Sequence, residues 1–212
     1  MKHALYSRCE TFLKEHIMAV ELADLPMVER VYRIEHSLRV ARYALQIAKE
    51  NELDQNVCLL AGVLHDVGKF ESLRNRDHGR ASAQIAWPFL QTLPLTKKQM
   101  SDIAYCIARH CDGEAGYDYE PIPEAGAVSD ADHIDRFGVY RVIQALHYDG
   151  FDQLGLEEKL AYCRGRCEKL QQRCARSMET LAGTKMFQRA CGVQLGYFRA
   201  LEEELNFTLT QM

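Results

Sequence analysis

The chain has 212 residues and a formal net charge of −4 at pH 7, and 47% of its residues are hydrophobic. This composition is typical of a globular protein with a sizeable core, and it excludes disorder, collagen-like repeats and a small disulfide scaffold. The negative charge argues against general nucleic-acid binding, which needs cationic surfaces that neutralise phosphates. No apolar run approaches the roughly 18 residues of a membrane span, and the first residues lack a secretory signal. We therefore expect a cytoplasmic protein that does not bind membranes.

The eight cysteines include no CxxC pair. A zinc ribbon and a thioredoxin-type redox motif are therefore not indicated. We expect reduced thiols. Three of them are spaced to share a helix face and are expected to pack in the core, namely Cys163, Cys167 and Cys174.

Apolar residues recur at helical spacing nearly throughout the chain, and no alternating run supports a sheet. The sequence therefore predicts an all-α protein with a single domain over residues 1–212. A long helix before residues 51–54 carries two apolar faces, which indicates a central, buried helix. The next helix is predicted to end at Gly68 in the left-handed conformation, which puts His65 and Asp66 in its last turn.

Start signals predict further helices near residues 77–90 and after Thr96. The segment 111–123 is then the longest loop, and it is placed to serve as a lid. Residues 156–205 are expected to form two or three helices with an interruption at Gly183.

The helix that begins at Pro123 carries two aspartates with different directions. At 100° per residue, Asp130 is turned about 200° from Asp132. Asp132 shares a face with apolar Val128 and Ala131, so it is the better candidate to point inward.

The dipeptide His65-Asp66 carries information through its context, because a His-Asp pair is common by chance. It follows the apolar run 59–64 and precedes Val67-Gly68-Lys69. His36 stands earlier in the chain and Asp132 later.

These residues make the sequence resemble the HD superfamily of metal-dependent phosphohydrolases, whose signature is H…HD…D on a bundle of helices. The matching blocks are RIEHSLRVA at 33–41, LHDVGK at 64–69 and SDADHID at 129–135, within about residues 28–138. Helices at about 156–205 look like those of small stand-alone bacterial members. The resemblance implies an HD-type helical bundle with a metal site at its centre.

The resemblance implies that one divalent cation is bound by His36, His65, Asp66 and Asp132, with Asp66 also acting in catalysis. Two imidazoles and two carboxylates suit Mn, Fe, Ni, Co or Mg better than a structural Zn, and they leave positions for water and substrate. The alternative is that both histidines are hydrogen-bonded core residues and that Asp66 is a helix-end residue.

Three further residues are candidates for catalysis or substrate binding. Lys69 is placed to stabilise charge on a bound phosphate, with a surface lysine as the alternative. His110 lies at a helix end and is expected to contact phosphate or water, unless it is a core histidine. His78 lies near a helix N-terminus, where anions are favoured, and is expected to contact substrate or metal.

A second metal is disfavoured by the sequence around His110. Residues 110–118 resemble the HD-GYP branch, which cleaves cyclic dinucleotides and in which extra histidines bind a second ion. Cys111 stands where that branch has its second histidine, and Asp118 stands where it has a proline. A binuclear site and a cyclic-dinucleotide substrate are therefore both in doubt.

Other candidates for substrate contact lie nearby. Arg39 and Arg80 are placed to bind phosphate, although Arg39 is equally placed to pair with Glu35. Tyr117 and Tyr119 are expected to stack on a base, the alternative being that they anchor the loop. A basic group on a later helix is expected to be a solvated face, and it comprises Arg164, Arg166, Lys169, Arg173 and Arg176.

The leading hypothesis is a metal-dependent phosphohydrolase that acts on a small phosphorylated compound, most of all a nucleotide, through metal-activated water. A cyclic-nucleotide or cyclic-dinucleotide phosphodiesterase is one alternative, and two metals a few ångströms apart would favour it. A non-catalytic nucleotide sensor is the other, but the presence of every implied ligand argues against it.

Overall fold

A computed structural model describes residues 2–22, 24–72 and 76–209 of the chain. These residues form α-helices and one short 3-10 helix, with no strand among them, which confirms the all-α prediction. The chain divides into two compact units, Met1–Asp132 and His133–Met212. The prediction of a single domain stays a prediction.

The first unit is a set of packed helices: α1 (Lys2–Ala19), α2 (Met27–Glu50), α3 (Gln55–Leu64), α4 (His78–Leu90), α5 (Lys97–Arg109) and most of α6 (Pro123–Arg136). Helix α2 packs against α3, and α4 packs against α5. Helix α3 also contacts α1 and α5, and its residues from Val57 to Leu64 are all buried. Helix α3 is therefore central in this unit, and the turn that begins at His65 follows directly from it.

Capping residues explain where two of these helices begin. The Asp54 side chain accepts hydrogen bonds from the backbone N–H groups of Asn56 and Val57 at the start of α3. Thr96 and Gln99 form a reciprocal capping box at the start of α5, as the sequence predicts. Each cap satisfies amide groups that the first helical turn leaves without a partner.

The end of α3 differs from the prediction. The helix ends at Leu64, and His65 and Asp66 lie in the series of turns that follows. Gly68 is not among the glycines with positive φ, so the predicted left-handed cap is wrong. A Cβ at Gly68 would lie 2.8 Å from the backbone nitrogen of Ser82. A glycine at this position therefore allows the turn after α3 to pack closely against α4.

The second unit contains α7 (Val139–Tyr148), a 3-10 helix (Phe151–Gln153), α8 (Leu156–Cys174) and α9 (Leu181–Leu209). Helices α8 and α9 pack along each other, and α7 packs on α9. Their core contains Val142, Cys163, Cys167, Leu170 and Phe198. Two of the three cysteines predicted to pack are therefore core residues.

The predicted interruption at Gly183 is wrong, because Gly183 lies inside α9. The break falls between Cys174 and Leu181. The hydroxyl oxygen of Thr180 accepts a hydrogen bond from the Gly183 N–H at 2.9 Å, which starts α9 before the glycine. In the described part of the chain, no helix combines the length and the apolar character needed to cross a membrane.

Candidate functional site

Three buried side chains from the first unit bring their donor atoms together. His36 comes from the middle of α2, and His65 and Asp66 come from the turn after α3. The Nε2 atoms of His36 and His65 are 3.3 Å apart. Both lie close to Oδ2 of Asp66, at 3.5 Å for His36 and 3.4 Å for His65. We call His36, His65 and Asp66, together with Asp132, the first donor group.

Asp132 reaches the same point from α6. Its Oδ1 atom lies 3.1 Å from Nε2 of His36 and 3.9 Å from Nε2 of His65. Asp130 is buried as well, so burial does not distinguish the two aspartates. The contact with His36 is what joins Asp132 to the first donor group.

The first donor group has the chemistry of a cation site. Nδ1 of His65 bonds to the carbonyl oxygen of Gly62 at 2.8 Å, which assigns the ring proton to Nδ1 and leaves the Nε2 lone pair toward the group. Burial lowers the pKa of His65 against the opposing charge of Asp66, so the imidazole stays neutral, as metal ligation requires. The donor atoms of His36, His65 and Asp66 lie close enough together to hold a metal ion, and Asp132 adjoins them through His36. All four side chains are nearly without exposure to solvent, and two imidazoles with carboxylates suit a divalent cation.

Arg33 is a residue of this site that the sequence analysis missed. Its guanidinium Nη1 donates a hydrogen bond to Oδ2 of Asp66. Burial would raise the pKa of Asp66, but the charged Arg33 guanidinium holds that pKa well below its usual range. Arg33 lies one helical turn before His36, so helical spacing from the histidine is the signal that could have found it.

A second donor group lies beside the first and comprises His78, His110 and Cys111, whose donor atoms lie within 4.8 Å of one another. His78 opens α4, whereas His110 and Cys111 follow the end of α5. Nε2 of His78 is 3.2 Å from Nε2 of His110 and 3.0 Å from the Cys111 sulfur. Asp66 connects the two groups, because its Oδ1 atom lies 3.0 Å from Nε2 of His78 and 3.7 Å from Nε2 of His110.

Gly79 permits this close approach of α4 to the end of α5. A Cβ at this position would lie 2.6 Å from the carbonyl oxygen of Ala108 and 3.1 Å from the Cys111 sulfur. Backbone atoms cannot move aside cheaply, so any side chain here would separate the two helix ends. The glycine therefore keeps His78 next to His110.

The thiol and the imidazoles of the second group influence each other's protonation. Burial would lower the pKa of His110, but hydrogen bonds with Asp66 and Cys111 raise it to about 10. Burial would raise the pKa of Cys111, but hydrogen bonds with His110 and His78 lower it to about 7. Cys111 is therefore a thiol with an unusually large thiolate fraction at neutral pH.

Lys69 joins the second group through His78. Its Nζ atom lies 3.2 Å from Nδ1 of His78, and an ammonium can only donate there. With Nδ1 accepting, the ring proton is assigned to Nε2, which faces Oδ1 of Asp66. Lys69, His78 and Asp66 thus form a chain of polar contacts that ends at the first donor group.

The structure gives both candidate arginines local partners. Nη1 of Arg39 lies 3.9 Å from Glu35 on a partly exposed part of α2. Arg80 donates to Asp77 at 2.7 Å and to Asp112 at 3.0 Å. It also donates to the carbonyl oxygen of Glu114 at 2.8 Å, so it ties the loop after α5 to the start of α4.

The two loop tyrosines have different environments. Tyr119 stacks on Tyr105 with ring centroids 4.8 Å apart, and its hydroxyl donates to Asp102 at 2.7 Å. Tyr117 is 49% exposed and lies edge-on to both rings. Tyr119 therefore anchors the loop, while one side of Tyr117 is open to solvent.

A cavity of about 500 Å³ lies between α4, α5 and this loop. Trp87 from α4, Tyr117 and Tyr119 from the loop, and Ala104 from α5 contribute to its wall, with Arg80 at its edge. The same two helices carry His78 and His110 at their ends. Its size falls in the range typical of small-ligand sites, and its wall is mainly aromatic and apolar.

Comparison with known proteins agrees with this arrangement. The HD domain family matches residues 33–136, a range that contains the whole of both donor groups. No curated protein matches the chain.

Two solved structures are similar in fold, each with a TM-score of 0.64. One is a predicted HD superfamily hydrolase from an uncultured Thermotogales bacterium, with 16% identity over 93% of this chain and 91% of that chain. The other is YpgQ of Bacillus subtilis in complex with ADP, with 18% identity over 96% of both chains. The signature residues therefore lie in an HD-type domain over residues 33–136 of this chain.

Proposed function

We propose that the protein hydrolyses a phosphoester or phosphoanhydride bond of a small molecule, with a nucleotide as the substrate. One divalent cation, Mn, Fe, Ni, Co or Mg, would be held by His36, His65, Asp66 and Asp132. The observation that carries the proposal is the convergence of these four buried side chains, which come from three separate helices or their ends.

A cation in the first donor group would supply a polarised phosphoryl oxygen and an activated water, which phosphate hydrolysis most needs. The side chains around it have distinct proposed tasks. Arg33 orients the Asp66 carboxylate through its hydrogen bond. His110 faces the other oxygen of the same carboxylate, and Lys69 reaches it only through His78; both cations are proposed to stabilise charge that develops on a phosphate in the transition state.

A nucleotide is proposed as substrate on two grounds. The cavity between α4 and α5 offers Trp87 and the open side of Tyr117, and both rings suit the face of a base. In addition, YpgQ of Bacillus subtilis was crystallised in complex with ADP. Substrate contacts are proposed for Lys69, His78, His110 and Tyr117.

Arg39 and Arg80 are weaker candidates for substrate contact. The guanidinium of Arg80 already donates to two carboxylates and to backbone carbonyl groups. It would have to give up part of this network to bind a phosphate. Arg39 lies 3.9 Å from Glu35, at the limit of ion-pair distance, on a partly exposed part of α2.

The test is phosphate release from nucleoside mono-, di- and triphosphates and cyclic nucleotides, with Mg, Mn, Co and Ni each supplied. Asp66→Ala removes the carboxylate that belongs to the first donor group and contacts the second, so it should abolish metal-stimulated phosphate release. Lys98→Ala is the matched control, since Lys98 is exposed and pairs with Asp102. Equal turnover by the wild type and Asp66→Ala would contradict the proposal.

A phosphodiesterase is a second candidate, and the second donor group favours it. Asp66 presents one oxygen to each donor group, so a second cation would be held by Asp66, His78, His110 and Cys111 and would supply the further Lewis acid of a two-metal phosphodiesterase. Metal content of two ions per chain, together with preferential cleavage of cyclic nucleotides, would favour this candidate over the first.

We also infer a cytoplasmic location. All eight cysteines are free in the structure, as expected in a reducing compartment. Microscopy of a tagged full-length chain would test it.

A further inference from the structure

The second unit contains a cavity of about 320 Å³ with a strongly basic wall. Five cationic side chains line it: Arg136 at the end of α6, Arg141 on α7, and Arg166, Lys169 and Arg173 on α8. No carboxylate belongs to its described wall. Positive charge is therefore concentrated in this cavity, although the net charge of the chain is −4.

Within the described residues, the three cations that α8 contributes to this cavity have no acidic partner to neutralise them. Among the described residues, no carboxylate lies within ion-pair distance of Arg166, Lys169 or Arg173. Arg164 on the same helix differs, because its Nε donates to Glu202 at 2.8 Å. The expected solvated face is thus divided, with Arg164 paired and three other members brought together at the cavity.

Two of the guanidinium groups are held by aromatic rings. Arg166 lies over the ring of Phe198 and Arg173 over the ring of Phe137, each 5.2 Å from the ring centroid. A ring covers the face of a guanidinium and leaves the N–H groups in its plane available to an acceptor. In the described structure, Nε of Arg166 is buried and lacks a hydrogen-bond partner. Since an unsatisfied buried donor is costly, an acceptor is expected here.

We propose that this cavity binds a small oligophosphate, such as inorganic triphosphate or the phosphate chain of a nucleotide. More than one phosphate group is needed to match the three cavity cations of α8, and the forked guanidinium matches phosphate oxygens in pairs. The volume lies at the lower end of the range for small-ligand sites, so the occupant is a compact anion rather than a polymer. The proposed site is independent of the proposed hydrolytic activity.

Calorimetric titration of the full chain with inorganic triphosphate tests the proposal. EDTA is present throughout, so that a cation in the donor groups cannot contribute to binding. Arg173→Gln should weaken binding about tenfold or more, because it removes charge-assisted hydrogen bonds. Arg173 is exposed, so this variant is expected to fold, and Arg166→Gln should give a comparable loss.

The matched control is Arg164→Gln, which removes a charge of the same helix outside the cavity and should leave the affinity within about twofold of wild type. His65→Ala should also bind triphosphate as wild type does. Equal losses in the Arg164 and Arg173 variants would overturn the proposal, as would loss of binding in His65→Ala. Single-stranded DNA that binds more tightly than triphosphate would overturn the assignment to a small anion.

Discussion

Arg33 and His36 stand one helical turn apart on α2 and approach the same oxygen of Asp66. Arg33 donates a hydrogen bond to Oδ2, and Nε2 of His36 lies 3.5 Å from it. A carboxylate that is fixed in this way presents its charge in one direction before any ligand arrives. Arg33 is therefore expected to act on the cation site through Asp66.

Replacement of Arg33 by methionine should lower the affinity for a divalent cation by about 10- to 100-fold, the effect typical of residues that orient a ligand. The measurement is calorimetric titration with Mn²⁺. The control is Arg42→Met on the same helix, whose guanidinium lies 5.2 Å from the Tyr6 ring centroid. Similar affinities for the two variants would show that Arg33 has no such role.

Replacement of Lys69 by methionine should lower the rate of phosphate release by about 10² to 10³, because one charge-stabilising donor is lost. Metal content, measured by elemental analysis, should stay at the wild-type value. Lys98→Met serves as the control, as Lys98 lies outside both donor groups. A loss of bound metal in Lys69→Met would mean that Lys69 supports the donor groups rather than the reaction.

Tyr117→Ala should raise the KM for a nucleotide about fivefold or more, since stacking on a base contributes roughly 1 to 3 kcal/mol. The KM for p-nitrophenyl phosphate should change less. Tyr119→Phe is the contrast, because it removes the hydrogen bond to Asp102 and should lower stability with little effect on either KM. Equal rises in KM for the two substrates would exclude stacking by Tyr117.

In the metal-free protein, alkylation of Cys111 should follow a titration with a midpoint near pH 7, since its pKa is lowered to about 7. The thiolate is the reactive form, so the rate rises as the pH rises through this value. Burial raises the pKa of Cys9 to about 12, which should keep that thiol unreactive until the protein unfolds. Mass spectrometry after iodoacetamide treatment at several pH values provides the measurement. A midpoint near pH 9 for Cys111 would contradict the polar contacts assigned to it.

Gly79→Ala should destabilise the protein by about 1 to 3 kcal/mol, because the added Cβ would lie 2.6 Å from the carbonyl oxygen of Ala108. Gly165→Ala is the control, since a Cβ there meets nothing within 4 Å and should stabilise α8 by about 0.5 to 1 kcal/mol. Urea unfolding curves give both values. Equal midpoints for the two variants would show that α4 and α5 can separate at no cost.

The sequence predicts the helices well where a local signal sets them. The Thr96 cap depends on the residues next to it, and it is found as predicted. The predicted helix end at Gly68 and the predicted interruption at Gly183 are both wrong. A glycine ends a helix mainly where the backbone must adopt a positive φ. A glycine is needed at position 68 because the backbone of Ser82, which is distant in sequence, leaves no room for a side chain. Helix α9 begins before Gly183 because Thr180 caps its first turn.

The candidate site also contains residues that the sequence predicts and contacts that only the fold creates. His36, His65 and Asp66 are predicted as ligands through the resemblance of their sequence blocks to the HD signature. In the sequence, Cys111 only marks a departure from the HD-GYP branch, which has a histidine at this position. Its contact with His78 depends on how α4 approaches α5, which no local pattern encodes.

The bonds of Arg80 determine how the loop after α5 can behave. This guanidinium holds Asp112 and Glu114 near one end of the loop, and Tyr119 is fixed to Asp102 toward the other. A loop secured at two points forms a wall of the cavity rather than the swinging lid that its length suggests. Size discrimination among substrates would then be built into the folded protein, and product release would not wait for a large loop movement.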